Sequence, residues 1–134
     1  MIVEITGDIT KVDAQYIANV YKGRVRHDKM GTLSIKGNGE DQRYVINMFS
    51  QYYPGSPKYI NDTASIREHY FIKCLEKIAQ IDNLESIAFP EFIGCLDGGN
   101  WVTYKEDIVL FDNLLTRLGK NVTIYIVKWD QKGA

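Results

Sequence analysis

The residue types best suited to chemistry lie in two short stretches. One is Ile93-Gly94-Cys95-Leu96-Asp97-Gly98-Gly99-Asn100-Trp101, set between an apolar run and an amphipathic one. Glycines at such a passage let backbone N–H groups turn toward an anion, and the helix that follows adds its positive end. The stretch holds neither a Gly-Lys-Ser/Thr nor a Gly-x-Gly-x-x-Gly, so an ordinary strand-to-helix turn stands beside phosphate binding as its reading. The other stretch is Gly7-Asp8-Ile9, directly after an alternating run. Asp8 there can accept hydrogen bonds from a ligand or simply cap a turn.

Other reactive types are present without a partner at a telling spacing. Cys95 could act as a nucleophile, but neither His27 nor His69 is spaced to activate it, and a packed thiol is the simpler reading. Cys74 and Cys95 are the two cysteines and do not form a Cys-x-x-Cys, so they suggest neither a disulfide framework nor a zinc site. No metal and no cofactor is implied. Lys22, Arg24, Arg26, His27 and Lys29 make the densest basic stretch, accompanied only by Tyr21. A solvated loop is expected there, and nucleic acid is not an expected partner.

These residues need a scaffold, and the chain is long enough to supply one. Its 134 residues, 45% of them hydrophobic and 25% charged, fit a single domain spanning 1–134 with a real core, which excludes a two-domain enzyme and a disordered chain. A formal net charge of -1 gives no whole-molecule field toward nucleic acid or an anionic membrane. The start MIVEITGDIT has no basic and apolar leader pattern, and an intracellular location is expected. No apolar run approaches the roughly 20 residues of a membrane span.

Period-two patterns predict strands over Ile2 to Thr6, Tyr16 to Val20, Ser86 to Phe89 and Asn121 to Val127, and a hairpin of Leu33 to Lys36 with Arg43 to Phe49. Helical spacing predicts one helix from Asp62 or Thr63 to Gln80, facing inward with Ile66, Tyr70, Phe71, Cys74, Leu75 and Ile78. A second begins at about Tyr104, where Thr103 and Glu106 form a capping box, and turns Ile108, Phe111, Leu114, Leu115 and Leu118 inward. Residues 21–31 and 129–134 read as loose. The sum is an α/β or α+β chain with a mixed sheet, in which ligands sit beyond the carboxyl ends of the strands.

Gly7-Asp8-Ile9, the strand end Asn47-Met48-Phe49-Ser50-Gln51-Tyr52, and Phe89-Pro90 with the loop from Ile93 to Trp101 together resemble a macro domain. The similarity runs from Ile2 to Val127. The branch it looks most like is the compact viral, phage and eukaryotic group that processes ADP-ribose 1''-phosphate or removes terminal ADP-ribose from proteins. The resemblance implies an α/β fold with a mixed β-sheet and flanking helices, and ADP-ribose or a derivative as ligand. It assigns Asp8 and Ile9 to the adenine. It assigns Ile93, Gly94, Cys95, Gly98 and Gly99, with the adjoining Asn100, to the diphosphate and distal ribose. Asn19, in Ile17-Ala18-Asn19-Val20, matches the family's Asn-bearing strand. Similarity to the terminal ADP-ribose glycohydrolases further implies a catalytic pair, Lys36 and Asp97. A partly desolvated lysine can attack the anomeric carbon of ribose, and a nearby carboxylate can pass protons.

The chain departs from that pattern twice. Lys22 stands where the family has a second asparagine, and the passage from Gly23 to Met30 leaves out a glycine-rich loop and one N-terminal helix. Leu96 stands where a glycine normally follows the cysteine. A missing helix leaves apolar sheet surface that a second copy of the chain would cover. The expectation is a shortened macro-domain-like protein binding ADP-ribose or a derivative, hydrolysing its 1''-phosphate or removing ADP-ribose from a protein. The alternative is a non-catalytic interaction module, and a third reading is a nucleic-acid binder using the 22–29 loop, with affinity that falls steeply with salt. The expected partners are ADP-ribose, an ADP-ribosylated protein and a second copy of the chain, with no membrane.

Overall fold

Alternation along each strand decides how the sheet sits. In β2 (Tyr16–Val20) Tyr16, Ala18 and Val20 are buried, while Ile17 and Asn19 are half-buried. The computed structural model describes residues 1–95 and 98–129, which form β1 (Ile2–Gly7), β2, β3 (Leu33–Lys36), β4 (Tyr44–Met48), α1 (Ala64–Ile78), β5 (Ser86–Pro90), α2 (Trp101–Arg117) and β6 (Thr123–Trp129). One six-stranded sheet results, in the order β1-β6-β5-β2-β4-β3. All neighbours are parallel except the edge strand β3, which runs antiparallel to β4. The mixed α/β fold expected from the sequence is therefore the one observed.

The carboxyl ends of β1, β6, β5, β2 and β4 meet along one rim of the sheet, where a parallel sheet places its ligands. Both helices pack on one face. Phe71, Cys74, Leu75 and Ile78 of α1 and Tyr104, Ile108, Phe111 and Leu115 of α2 bury Ala18, Ile46, Phe89, Ile124 and Ile126. Phe71 meets Tyr104 edge-on at 4.7 Å between ring centres, and Phe89 meets Phe111 at 6.1 Å. These rings lock α1 to α2 and α2 to the sheet. The opposite face has thin cover. The 3-10 turn Ile9–Lys11 and Val12 and Ala14 after it lie over Ala88 and Val127. Val3, Ile17 and Val45 on that face are only half-buried. Between β2 and β3, all of whose connecting residues are described, the helical structure is limited to the 3-10 turn His27–Lys29. The helix expected to be missing there is absent among the described residues.

Four expectations are corrected. Helix α2 begins at Trp101, because the Asn100 side chain accepts the Val102 N–H at 3.0 Å and caps it there. Thr103 thus lies inside the first turn. Leu118 does not face inward: it is the residue after the last turn and is 45% exposed. Strand β6 runs through Trp129, whose partner is Gly7, one residue into the expected tail. Residues 21–31 are also tied at several points. Tyr21, Val25 and Gly31 donate to the carbonyls of Met48, Tyr52 and Phe49 at 2.9, 3.0 and 2.7 Å.

Candidate functional site

Parallel register brings Asn19 of β2 beside Asn47 of β4, each the last residue but one of its strand and on the thinly covered face. Both residues line a pocket of about 380 Å³, bounded on its far side by Pro90 at the end of β5 and residues 91–94 after it, and flanked by Tyr21 and Lys22. Primary amides offer both donors and acceptors, so two of them on neighbouring strands can hold a pair of hydroxyl groups. Phe92 stands at the mouth with φ 65° and 47% of its surface exposed, its ring 5.7 Å from that of Trp101. A non-glycine residue in that region of backbone space is uncommon and concentrates at ligand-facing turns.

The 91–95 turn is held by its own amides. Ile93 N–H donates to Pro90, Cys95 N–H to Phe92 and Gly98 N–H to Cys95, at 3.1, 2.9 and 3.2 Å. These three donors are committed within the loop. Two glycines are demanded by packing on Tyr104. A Cβ on Gly94, which has φ 77°, would lie 2.7 Å from the Tyr104 ring, and one on Gly99 would run into the Gly94 carbonyl oxygen. Because α2 starts right after Asn100, its positive end adjoins this loop, three residues nearer than the sequence suggests.

Of the residues expected at a site, Asn19, Ile93 and Gly94 line this one pocket. Asp8 and Ile9 sit at the carboxyl end of β1. Asp8 caps the 3-10 turn, its Oδ1 accepting Thr10 N–H at 2.9 Å and Thr10 Oγ1–H at 2.7 Å, and these bonds lower its pKa. Ile9 packs in the small cluster over Ala88 and Val127. Cys95 is half-buried beside the pocket, with its thiol donating to the Ile93 carbonyl at 3.4 Å and pushed up to about 11 by burial. It is a packed thiol and not an activated nucleophile. Gly98 is exposed, Gly99 packs on Gly94, and Asn100 caps α2. Asp97 lies outside the described residues. His27 is engaged by the Tyr52 hydroxyl at 2.6 Å from Nδ1, which the sequence did not suggest.

Lys36 does not line the pocket. It projects from the edge strand into an adjoining basin of about 570 Å³ that also takes in Arg24, Arg26, Lys29 and Ser34 and shares Tyr21 and Asn47 with the pocket. Ser34 registers with Asn47 and Lys36 with Val45, so Lys36 shares their face and lies two strand positions away, about 7 Å. Sequence reasoning missed Asn47 as a site residue: its motif was visible, but its pairing with Asn19 exists only through strand register. Among the described residues no cluster of His, Cys, Asp and Glu is arranged to hold a metal, and no helix is long and apolar enough to cross a membrane.

The described residues form an α/β fold, a mixed and mostly parallel sheet with an amide-lined pocket at its carboxyl rim. No family model matches the sequence, and the search of curated proteins gave no match. Solved structures do match. The macrodomain of Thermus aquaticus DarG superposes with a TM-score of 0.67 at 16% identity, over 95% of this chain and 97% of that one. An Oceanobacillus iheyensis macrodomain variant with ADPR gives 0.57 at 18% identity, over 98% and 86%. The Trypanosoma brucei macrodomain in complex with ADP gives 0.63 at 13% identity, over 98% and 65%. The chain has the macrodomain fold.

Proposed function

We propose that this protein binds ADP-ribose, or a close derivative, along the carboxyl rim of its sheet. The observation that carries the reading is the pairing of Asn19 and Asn47 in one pocket against residues 90–94. Their amides suit the hydroxyl groups of the distal ribose, and the positive end of α2 beside the 90–94 turn suits an anionic diphosphate. From the β5 side of the pocket to the end of β1 is two strand spacings, about 10 Å, a span a dinucleotide-sized ligand covers. On this reading Asp8 and Ile9, at the end of β1, address the adenine. Macrodomains of the same fold are known with ADPR and ADP, which supports this class of ligand.

Calorimetric titration with ADP-ribose, with AMP as control, tests the reading. The expected result is saturable binding at micromolar ligand, weakened at least roughly tenfold in Asn19→Ala and in Asn47→Ala. No heat up to millimolar ADP-ribose would remove it.

The finer reading is hydrolysis of a 1''-phosphate or release of ADP-ribose from a protein: the Lys36 amine attacks the anomeric carbon as the phosphate or the protein carboxylate leaves, and water then displaces the lysine while Asp97 passes the protons. Its support is that Lys36 shares the face of Asn47 at a gap an extended lysine side chain bridges. Binding without turnover is the outcome if that pair is not catalytic.

A further inference from the structure

Helices α1 and α2 lie side by side on the face of the sheet opposite Asn19 and Asn47, and a groove of about 170 Å³ runs between them. Its walls are apolar: Ile72 and Leu75 from α1, and Leu110, Phe111 and Leu114 from α2. Leu110 is 61% exposed, so the groove opens to solvent along that wall. Asp107 also lines it, yet this residue is only 7% exposed and its Oδ2 has no hydrogen-bond partner among the described residues. A buried carboxyl oxygen left unpaired is costly, and a charged one more so. Burial first, then the carboxylates of Glu68 on α1 and Glu106 on α2, push the Asp107 carboxyl up, and among the described residues no cation offsets them. Glu76 adds a further carboxylate at the rim, with Lys73 at 3.9 Å. Arg117, about 15 Å along the helix axis from Asp107, stands at the far end.

We propose that this groove is a binding site for a small primary alkylamine, with its ammonium on the Asp107 carboxylate and its alkyl chain between the two helices. The ammonium supplies the cation that the surroundings of Asp107 lack, and its three N–H groups serve the unpaired oxygen. The broad χ2 well of an aspartate lets the carboxyl turn toward it. The apolar walls take the methylenes. At the roughly 30 Å³ that a water-sized group occupies, the groove holds about six heavy atoms, the size of a five-carbon amine. A bare metal ion would leave the walls unused, and an anion would meet Asp107 and Glu76. Arg117 turns away a second cation, so a monoamine fits better than a diamine. The site is separate from ADP-ribose binding, since the sheet lies between it and the Asn19–Asn47 pocket.

The test is titration of the isotope-labelled full chain with pentylamine at about pH 8, where the amine is still an ammonium, followed by the amide NMR shifts of α1 and α2. Expected is saturable binding in the low millimolar range, the scale that about six heavy atoms can supply. Pentanol should bind at least about tenfold more weakly, pentanoate should leave the shifts unmoved, and 1,5-diaminopentane should bind at least about threefold more weakly than pentylamine. Asp107→Asn should lower pentylamine affinity at least about tenfold and leave pentanol within about twofold, a split that a collapsed groove would not produce. Leu110→Ser should weaken both ligands. The proposal falls if pentylamine does not saturate by about 50 mM, if pentanol matches it, or if Asp107→Asn binds it as the parent does. A tripeptide with lysine between two leucines that binds at least about tenfold more tightly than pentylamine would give the groove to a protein partner and overturn the small-ligand assignment. Asn19→Ala should change none of these results, which keeps failure of the ADP-ribose reading distinguishable from failure of this one.

Discussion

Arg67 and Asp62 form a two-pronged ion pair inside the protein, Nε to Oδ1 at 3.1 Å and Nη2 to Oδ2 at 2.7 Å, with the side chains 5% and 0% exposed. The remaining capacity of each group is filled as well. Asp62 accepts the N–H groups of Tyr52 and Tyr53 at 3.1 and 3.2 Å, and Arg67 reaches two loop carbonyls. The pair therefore staples the 52–62 segment to α1.

Breaking it leaves a buried charge without its partner. Arg67→Ala should cost about 3–5 kcal/mol, read as a lower midpoint in urea denaturation. A loss below about 1 kcal/mol would show that the pair is dispensable.

Asp107 should make the fold less stable as pH rises from 3.8 to about 7. Burial, with Glu68 nearby as the second cause, pushes its carboxyl from 3.8 up to about 7, and its Oδ2 has no hydrogen-bond partner among the described residues. The native state then holds a proton that the unfolded chain releases, so this contribution is complete below 3.8 and lost as pH climbs to about 7. Asp107→Asn should flatten that part of the pH–stability profile and be more stable than the parent at about pH 8. Parallel profiles for the two proteins would exclude Asp107 as the source.

If Lys36 and Asp97 carry hydrolysis, Lys36→Ala and Asp97→Ala should each lower turnover of an ADP-ribosylated substrate at least roughly a hundredfold while ADP-ribose affinity stays within about threefold. Turnover at the parent rate in both variants would take the role from the pair.

Cys95 should alkylate slowly. With the thiol at about 11 in place of 9.0, its thiolate fraction near pH 8 is about a hundredth of an unperturbed thiol's. Iodoacetamide labelling followed by mass spectrometry checks this, and Cys95→Ser should leave ADP-ribose affinity unchanged. Labelling at the rate of a small free thiol would refute the packed assignment.

Gly94→Ala should destabilise the protein by about 1–3 kcal/mol, since its Cβ meets the Tyr104 ring at 2.7 Å and its φ of 77° is unfavourable for alanine. Thermal denaturation reads this directly. A neutral substitution would mean the loop repacks freely.

Patterns local in the chain are legible from the residues alone. Alternation in Tyr16–Val20 marks a strand, and the stripe Phe71, Cys74, Leu75, Ile78 marks the buried face of α1. Local signals mislead where two of them compete. Thr103 and Glu106 look like a helix start, but Asn100 caps first and Trp101 joins the helix beside Phe92. Likewise Asp62 and Thr63 both look able to cap α1; Thr63 does so, accepting the Ile66 N–H at 3.2 Å, and Asp62 turns inward to Arg67. The site is legible in part. Asn19, Ile93 and Gly94 can be picked out, but Asn47 joins them only through register. Non-local geometry of that kind leaves no spacing to read.

Among the described strands β1 pairs with β6 alone, so the first strand of the chain waits for the last one. During synthesis Ile2 to Gly7 emerges long before Thr123 to Trp129 exists, and its pairing edge stays open throughout. The half of the sheet that carries Asp8 therefore closes last, whereas β2, β4 and β3, which frame the Asn19–Asn47 pocket and the basic basin, can assemble from the first half of the chain. Refolding should show the Asn19 edge protected from hydrogen exchange before the Asp8 edge, an order set by connectivity alone.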